Sequence, residues 1–412
     1  MSVSKVALAA LSAIGASALV PVAVPGQPAQ PAAARVLALS REERAALAAL
    51  QAAAGGFDRA AQDAALAAAR GATRSADARY ALGHFQVQIG QARQDAQLVG
   101  QGAQLMLESG LATADETPSL LASQASVAYY ASQFDVADRL LTRAVELQPN
   151  NGTLIADLGG VKARRGDRAQ AVTLLQRAIA VQRQAGQLAP ESWYQRALAL
   201  AVEGRLGPQS VALARELVAA YPTPVNWRDA LLVYSQSAAA DPALDLDIRR
   251  LMRASGALAG ERDYLQLADA LGRAALPGEA KAVLDEGVSR GMLAPTEAAV
   301  RQQMTAVTPR ASAARSGLAR ARTQALAAAT GTPARTAGDA HLGFGQYAEA
   351  AELYRAALQK GGEDPNLVNS RLGAALALAG QRAEAEAALR AVTGPRSDLA
   401  AFWLAWLARR PA

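Results

Sequence analysis

Residues 134–149 read FDVADRLLTRAVELQP, and thirty-four residues further on, at 168–183, the chain reads RAQAVTLLQRAIAVQR. Laid over each other, Ala137 meets Ala171, Leu140 and Leu141 meet Leu174 and Leu175, and Arg143-Ala144-Val145 meets Arg177-Ala178-Ile179. A helix written twice at a fixed interval is a packing unit. Small residues let two helix backbones approach, and larger apolar side chains fill the grooves beside the crossing. Over residues 118–151 the small residues are Ala125, Ala137 and Ala144; over 152–185 they are Gly159, Ala171 and Ala178. Between them stand Leu121, Phe134 and Leu141, then Ile155, Leu158 and Leu175. Gly166 falls where the first helix of the second unit must stop, a position suited to a left-handed cap, and Pro149 follows the second helix of the first.

The unit resembles the tetratricopeptide repeat (TPR), a helix–turn–helix of 34 residues. Trp193 and Trp227 lie 34 apart at the place where that pattern carries its tryptophan. Gly338, Tyr347, Ala350, Tyr354 and Ala357-Leu358 give the clearest single match. Leu372-Gly373, Gly380, Ala385, Leu389 and Val392 follow at once. Weaker units fit 41–74, 76–109, 190–223 and 261–294, with a degenerate pair near 224–257. The resemblance covers most of residues 41–399 and implies an all-α fold: a right-handed α-solenoid of antiparallel helix pairs. The implied organisation is a TPR-like solenoid over 35–294, a degenerate Arg-rich helical segment over 295–330, two further units over 331–396, and a capping helix over 397–412. That last helix, SDLAAFWLAWLARR at 397–410, aligns Leu399, Phe402, Trp403, Trp406 and Leu407 on one face, as a lid on the final repeat requires.

The composition agrees. About a quarter of the 412 residues are alanine, which loses least on entering a helix. The net charge of +6 comes almost wholly from arginine, 38 against 4 lysines. There is no cysteine, which excludes a thiol nucleophile, a disulfide framework and the usual zinc knuckles. At the start, Lys5 precedes the apolar run VALAALSAIGASALV (6–20), and prolines follow at 21, 25, 28 and 31. A positive start, a short apolar stretch and small-residue cuts before Leu19 or Arg35 describe a signal peptide and linker over 1–34. The expected location is therefore the periplasm or beyond.

Little in the sequence carries catalysis. His84 and His341 are far apart and fit no ligand pattern, and His341 stands where the TPR pattern places a large packing residue. Gly343-Phe344-Gly345 lacks a third glycine and a preceding strand, so its glycines end a helix rather than cradle a nucleotide. The acidic residues Asp229 and Asp263 leave a helical glycan-acting enzyme as an alternative, but one with few aromatic platforms for sugars. A cytoplasmic TPR scaffold is the other alternative. No catalytic residue, cofactor, metal or nucleic acid is expected. The leading expectation is a non-enzymatic scaffold of the cell envelope that binds a protein or peptide.

The resemblance implies that the first helix of each pair lines a concave groove. Carried onto this chain, the groove-facing residues are Tyr80, His84, Tyr129, Tyr194 and Arg228, a set suited to a peptide with an acidic group. The lysine- and asparagine-rich clamp of chaperone-binding members is not reproduced. Between Glu297 and Asp339 there is no acidic residue, while Arg301, Arg310, Arg315, Arg320, Arg322 and Arg335 fall there. That excess suggests a second surface, for an anionic envelope partner.

Overall fold

A computed structural model describes residues 36–238 and 241–409. The signal and linker expected over 1–34, and Arg410 at the C-terminus, lie outside the described residues. Among the described residues there are twenty α-helices, one 3₁₀ turn and no strand, an all-α solenoid of antiparallel helix pairs. The chain divides into two compact units, Met1–Leu200 and Ala201–Ala412.

Unit 1 holds α1 (Arg41–Ala54), α2 (Arg59–Ala72), α3 (Ala76–Arg93), α4 (Ala96–Glu108), α5 (Thr117–Tyr130), α6 (Phe134–Leu147), α7 (Gly152–Arg164) and α8 (Arg168–Gln184). It also holds the start of α9 (Glu191–Glu203). Helices begin where a short polar side chain can take up free backbone N–H groups. Ser40 Oγ accepts from Glu43 N while the Glu43 carboxylate accepts from Ser40 N, a reciprocal capping box. Asp58, Ser75, Asp95, Asn151 and Asp167 do the same singly. Helices α3, α5 and α7 each end on one residue in the left-handed region, Gln94, Ser132 and Gly166, whereas α1 ends at Gly55 with φ −77°. Gly166 adopts φ +88° as its position in the repeat requires. The small-residue skeleton is the buried crossing surface, with Ala125, Ala137, Ala144, Ala171 and Ala178 fully buried. At Gly159 a Cβ would sit 3.3 Å from the Ala171 carbonyl oxygen. The echo between 134–149 and 168–183 is therefore the same helix, α6 and then α8, packed on its own partner.

Unit 2 continues with α10 (Gly207–Ala220), α11 (Pro224–Ala238), α12 (Pro242–Ala254), α13 (Gly260–Arg273) and α14 (Pro277–Ser289). Then comes one uninterrupted 30-residue helix, α15 (Ala298–Ala327), where the sequence showed only a degenerate segment. Its buried residues, Val300, Val307, Ala311, Leu318 and Ala325, form a single seam, too narrow for the repeat pattern to register. The remaining helices are α16 (Gly331–Gly343), α17 (Tyr347–Lys360), α18 (Pro365–Leu378), α19 (Arg382–Arg390) and α20 (Ser397–Leu407), with the 3₁₀ turn Gly394–Arg396 before the last. Left-handed residues recur at the turns, at Arg205, Ala275, Gly345 and Gly380.

After α15 the chain returns against the earlier half of this unit. The Phe344 ring lies over Gly278 at the start of α14, where a Cβ would be 2.3 Å from its Cζ, and a Cβ at Gly343 would be 2.8 Å from that of Glu279. Helix α20 covers α18 and α19, as a lid on the last pair does, but it also packs on α10 and α12. Leu399, Phe402, Trp403 and Leu407 are buried there.

Candidate functional site

The five residues expected to line a groove do not share one exposed face. Tyr80, His84 and Tyr194 are 3 %, 7 % and 6 % exposed, so they are packing residues of unit 1 rather than open contacts. The Tyr80 hydroxyl donates to Glu116 Oε1 at 2.5 Å. Burial depresses the pKa of His84, with the Glu116 carboxylate acting in the opposite sense. Arg228, in unit 2, is held by Asp263 and by the Ala257 carbonyl. The Asp263 carboxyl also accepts from Ala259 N. Burial would raise the pKa of Asp263, but Arg228, the Ala259 N–H and Arg249 together outweigh it, and the carboxyl is held low. Tyr129 remains half-exposed, and so does Arg228, whose guanidinium is engaged by Asp263. The register that placed these residues was sound for helix and turn. Which flank of a first helix its neighbours cover depends on crossing angles that the register does not carry.

Around Tyr129 unit 1 builds a surface that the sequence reading missed. Tyr129 stands edge-on to Tyr130, with ring centroids 5.7 Å apart, and to Phe134, at 5.6 Å. Tyr130 is 63 % exposed. The guanidinium of Arg164, at the end of α7, lies 5.2 Å from the centre of the Phe134 ring. At roughly 100° per residue, Asp157, Gly160 and Arg164 share one side of α7, so the aromatic cluster continues along that helix. Gly160 leaves room for Arg196: a Cβ there would sit 3.1 Å from the arginine Nη1. Asp157 is pushed up to about 6 by burial, against the pull of Arg196. Below this strip Asp138 holds Lys162 at 2.8 Å and also Arg165, which fixes the end of α7. The signal available in the sequence was the run YYASQF at 129–134, three aromatic residues flanking the turn.

Unit 2 turns its charged groups inward. Asp247 on α12 accepts from Arg250 at 2.8 Å, from Arg371 Nε at 3.1 Å to each oxygen, and from Arg396 at 2.7 Å. Arg250 also pairs with Glu279 at 2.6 Å, and Arg371 with Asp339 at 2.9 Å. Tyr354 donates to Asp339 at 2.7 Å. Burial alone would raise the pKa of Asp247, but Arg371, Arg250 and Arg396 together bring it down to about 2. Four acids (Asp247, Glu279, Asp339, Glu363) face four arginines (Arg250, Arg335, Arg371, Arg396), so the cluster is neutral overall. The cavity among Asp247, Arg371, Ser370 and Trp403 is about 10 Å³, room for about one water molecule. His341 is buried nearby in sequence terms only, and neither ring nitrogen has a hydrogen-bond partner. Phe344 and Gly345 end α16, as expected of a helix terminus rather than a phosphate loop.

The arginine-rich stretch does not make one basic face. Arg322 pairs with Glu352, Arg335 with Asp339 and Glu363, and Arg315 lies over Phe344. Arg301, Arg310 and Arg320 are exposed, but on α15 they point in directions roughly 80–180° apart. Among the described residues no group of three or more His, Asp or Glu side chains is arranged to hold a metal ion, and no helix is long and apolar enough to cross a membrane.

The repeated pairs, their small-residue crossings and their left-handed turns define the class: a TPR-like helical repeat protein. No protein-family model and no curated protein matches the chain. Among solved structures it is similar to the apo form of RapI, at 8 % identity over 77 % of this chain and 97 % of that one, TM-score 0.35. It is similar as well to the yeast Sti1 TPR2AB-domain:pHSP90 complex, at 13 % identity over 71 % and 98 %, TM-score 0.26. A tetratricopeptide repeat protein from Parabacteroides merdae gives 11 % identity over 71 % and 99 %, TM-score 0.26.

Proposed function

We propose that the protein is a non-enzymatic scaffold of the bacterial cell envelope that docks a partner protein or peptide on unit 1. The observation that carries this reading is the strip from Tyr130 and Tyr129 over Phe134 and Arg164 to Asp157 and Arg196. Tyrosine and arginine are the residues that dominate binding energy at protein interfaces, since each combines a large contact area with a polar end. Arg164 and Arg196 suit an acidic group on the partner, and Asp157 suits a donor beside it. In unit 2 the corresponding chemistry is consumed internally. The envelope assignment rests on the sequence of residues 1–34. The exposed arginines of α15 diverge and do not form one face for an anionic partner.

The test is site-specific photo-crosslinking in the native host from position 130, with buried position 194 and α8 position 168 as controls. A partner captured from 130 only, and lost with Arg164→Ala, supports docking on this strip. Equal capture from all three positions, or capture indifferent to Arg164→Ala, refutes it. The N-terminus of the recovered protein separates the locations: a start at Leu19 or Arg35 supports export, whereas an intact Met1 supports a cytoplasmic scaffold. Turnover of an envelope glycan by the purified protein, abolished by a single carboxylate substitution, would instead establish the enzyme alternative.

A further inference from the structure

In unit 2, α20 lies against α10, α11, α12 and α18. Helix α20 is a short amphipathic helix reached through the exposed residues Thr393, Gly394 and Pro395. Phe402 fits between Trp227 and Tyr234 on α11, with ring centroids 6.2 and 5.6 Å away. The Trp406 indole donates to the Ala254 carbonyl at the end of α12, 3.1 Å away, and Arg409 donates to the Ala219 carbonyl at the end of α10. Those carbonyls belong to the last turns of their helices, where no later N–H group serves them, so the docked helix supplies the missing donors. Ahead of the helix, Arg396 enters the Asp247 cluster, and Arg215 pairs with Asp398 at 3.3 Å.

The walls of this seat are joined without α20. Asp247 on α12 is tied to Arg371 on α18, and α11 packs on both α10 and α12. None of these contacts uses a residue of α20. We infer that α10, α11, α12 and α18 form a preformed receptor groove for an aromatic amphipathic helix preceded by arginine, and that α20 occupies it as a tethered ligand of the same chain. The helix then does more than seal the last repeat: it sets the specificity of unit 2 and keeps the groove closed to other helices of its kind.

The experiment uses the full chain with a protease recognition sequence inserted between Thr393 and Gly394. The folded protein is cleaved, and a fluorescent peptide of residues 394–412 is added. The expected result is uptake of the peptide by the cleaved protein, none by the uncleaved protein, and helicity kept after cleavage. A Phe402→Ala peptide binds about a hundredfold more weakly, from the loss of an aromatic anchor in a filled pocket. An Arg396→Ala peptide is also weakened, because it leaves Asp247 with one partner fewer. Three results overturn the inference. Failure of the labelled peptide to enter under hundredfold excess over days makes α20 a fixed part of the core. Equal uptake of the Phe402→Ala peptide makes the binding non-specific. Loss of helicity on cleavage shows that the groove does not outlast its ligand.

Discussion

Asp247→Asn removes one charge from a site where Arg250, Arg371 and Arg396 converge. Its effect can be apportioned because the three arginines are not equally dependent on it. Arg250 retains Glu279 at 2.6 Å and Arg371 retains Asp339 at 2.9 Å. Arg396 is left with Ser370 Oγ at 3.5 Å and with Asp241 at 3.8 Å, a carboxylate whose side chain is half exposed. One buried guanidinium is thus orphaned, at a cost of about 3–5 kcal/mol. For a unit of this size each kcal/mol moves the midpoint by about 2–4 °C, so the transition of unit 2 should fall by roughly 10 °C. The assay is differential scanning calorimetry, which separates the two units if they melt apart. Arg396→Met in the same chain removes the orphan, and the double variant should recover at least about 2 kcal/mol relative to additivity. The pH dependence has a defined sign. The carboxyl titrates near 2 in the folded state, below about 3.9 in the unfolded chain. Its contribution is present above pH 4, is lost as pH falls through about 2, and amounts to about 2–3 kcal/mol. Asp247→Asn should flatten stability over that interval. A midpoint within about 2 °C of wild type, or a double variant that is simply additive, refutes the account of Arg396 as the dependent partner.

Three further outcomes follow from other parts of the chain. Ala275 holds φ +58° on an exposed turn, so Ala275→Gly should stabilise unit 2 by about 1 kcal/mol in urea melts, whereas Gly380→Ala, at φ +78°, should do the reverse. Gly278→Ala drives a methyl into the Phe344 ring and should cost about 1–3 kcal/mol; Phe344→Leu in the same chain should recover part of it, and strict additivity would show that the close approach is not the cause. Asp157 titrates near 6, above the unfolded value, so its ionisation opposes folding: stability is complete below pH 4 and declines as pH rises through 6. Asp157→Asn should remove that slope and stabilise unit 1 at pH 7 by about 1–2 kcal/mol, a figure reduced for the water that reaches the carboxylate. An NMR midpoint near 4 for Asp157 would remove the basis of that prediction.

Much of this protein was written locally. Helix and turn were legible because each is decided within a few residues of its own position: alanine favours helix everywhere, Ser40 or Asp167 starts one, and a left-handed residue such as Gly166 ends it. The pairing of helices was legible because small residues recur at the crossings, at Ala137 and Ala144 and again at Ala171 and Ala178. His341 was placed in the core by its register alone. What required the tertiary structure was every partnership between distant positions. Asp247 meets Arg371 and Arg396 across 124 and 149 residues, and nothing in a charge pattern tells a buried ion pair from a solvated one. Tyr80 and Tyr194 looked like surface because the repeat register puts them on a first-helix flank, and neighbouring helices then covered that flank. The amphipathic face of α20 was evident from its spacing, but a face states only that something must cover it. Which helices do so was decided by α15, whose 30 residues bring the later half of the unit back onto the earlier one. Hydrophobic periodicity specifies what an element must bury, and chain reversal specifies against what.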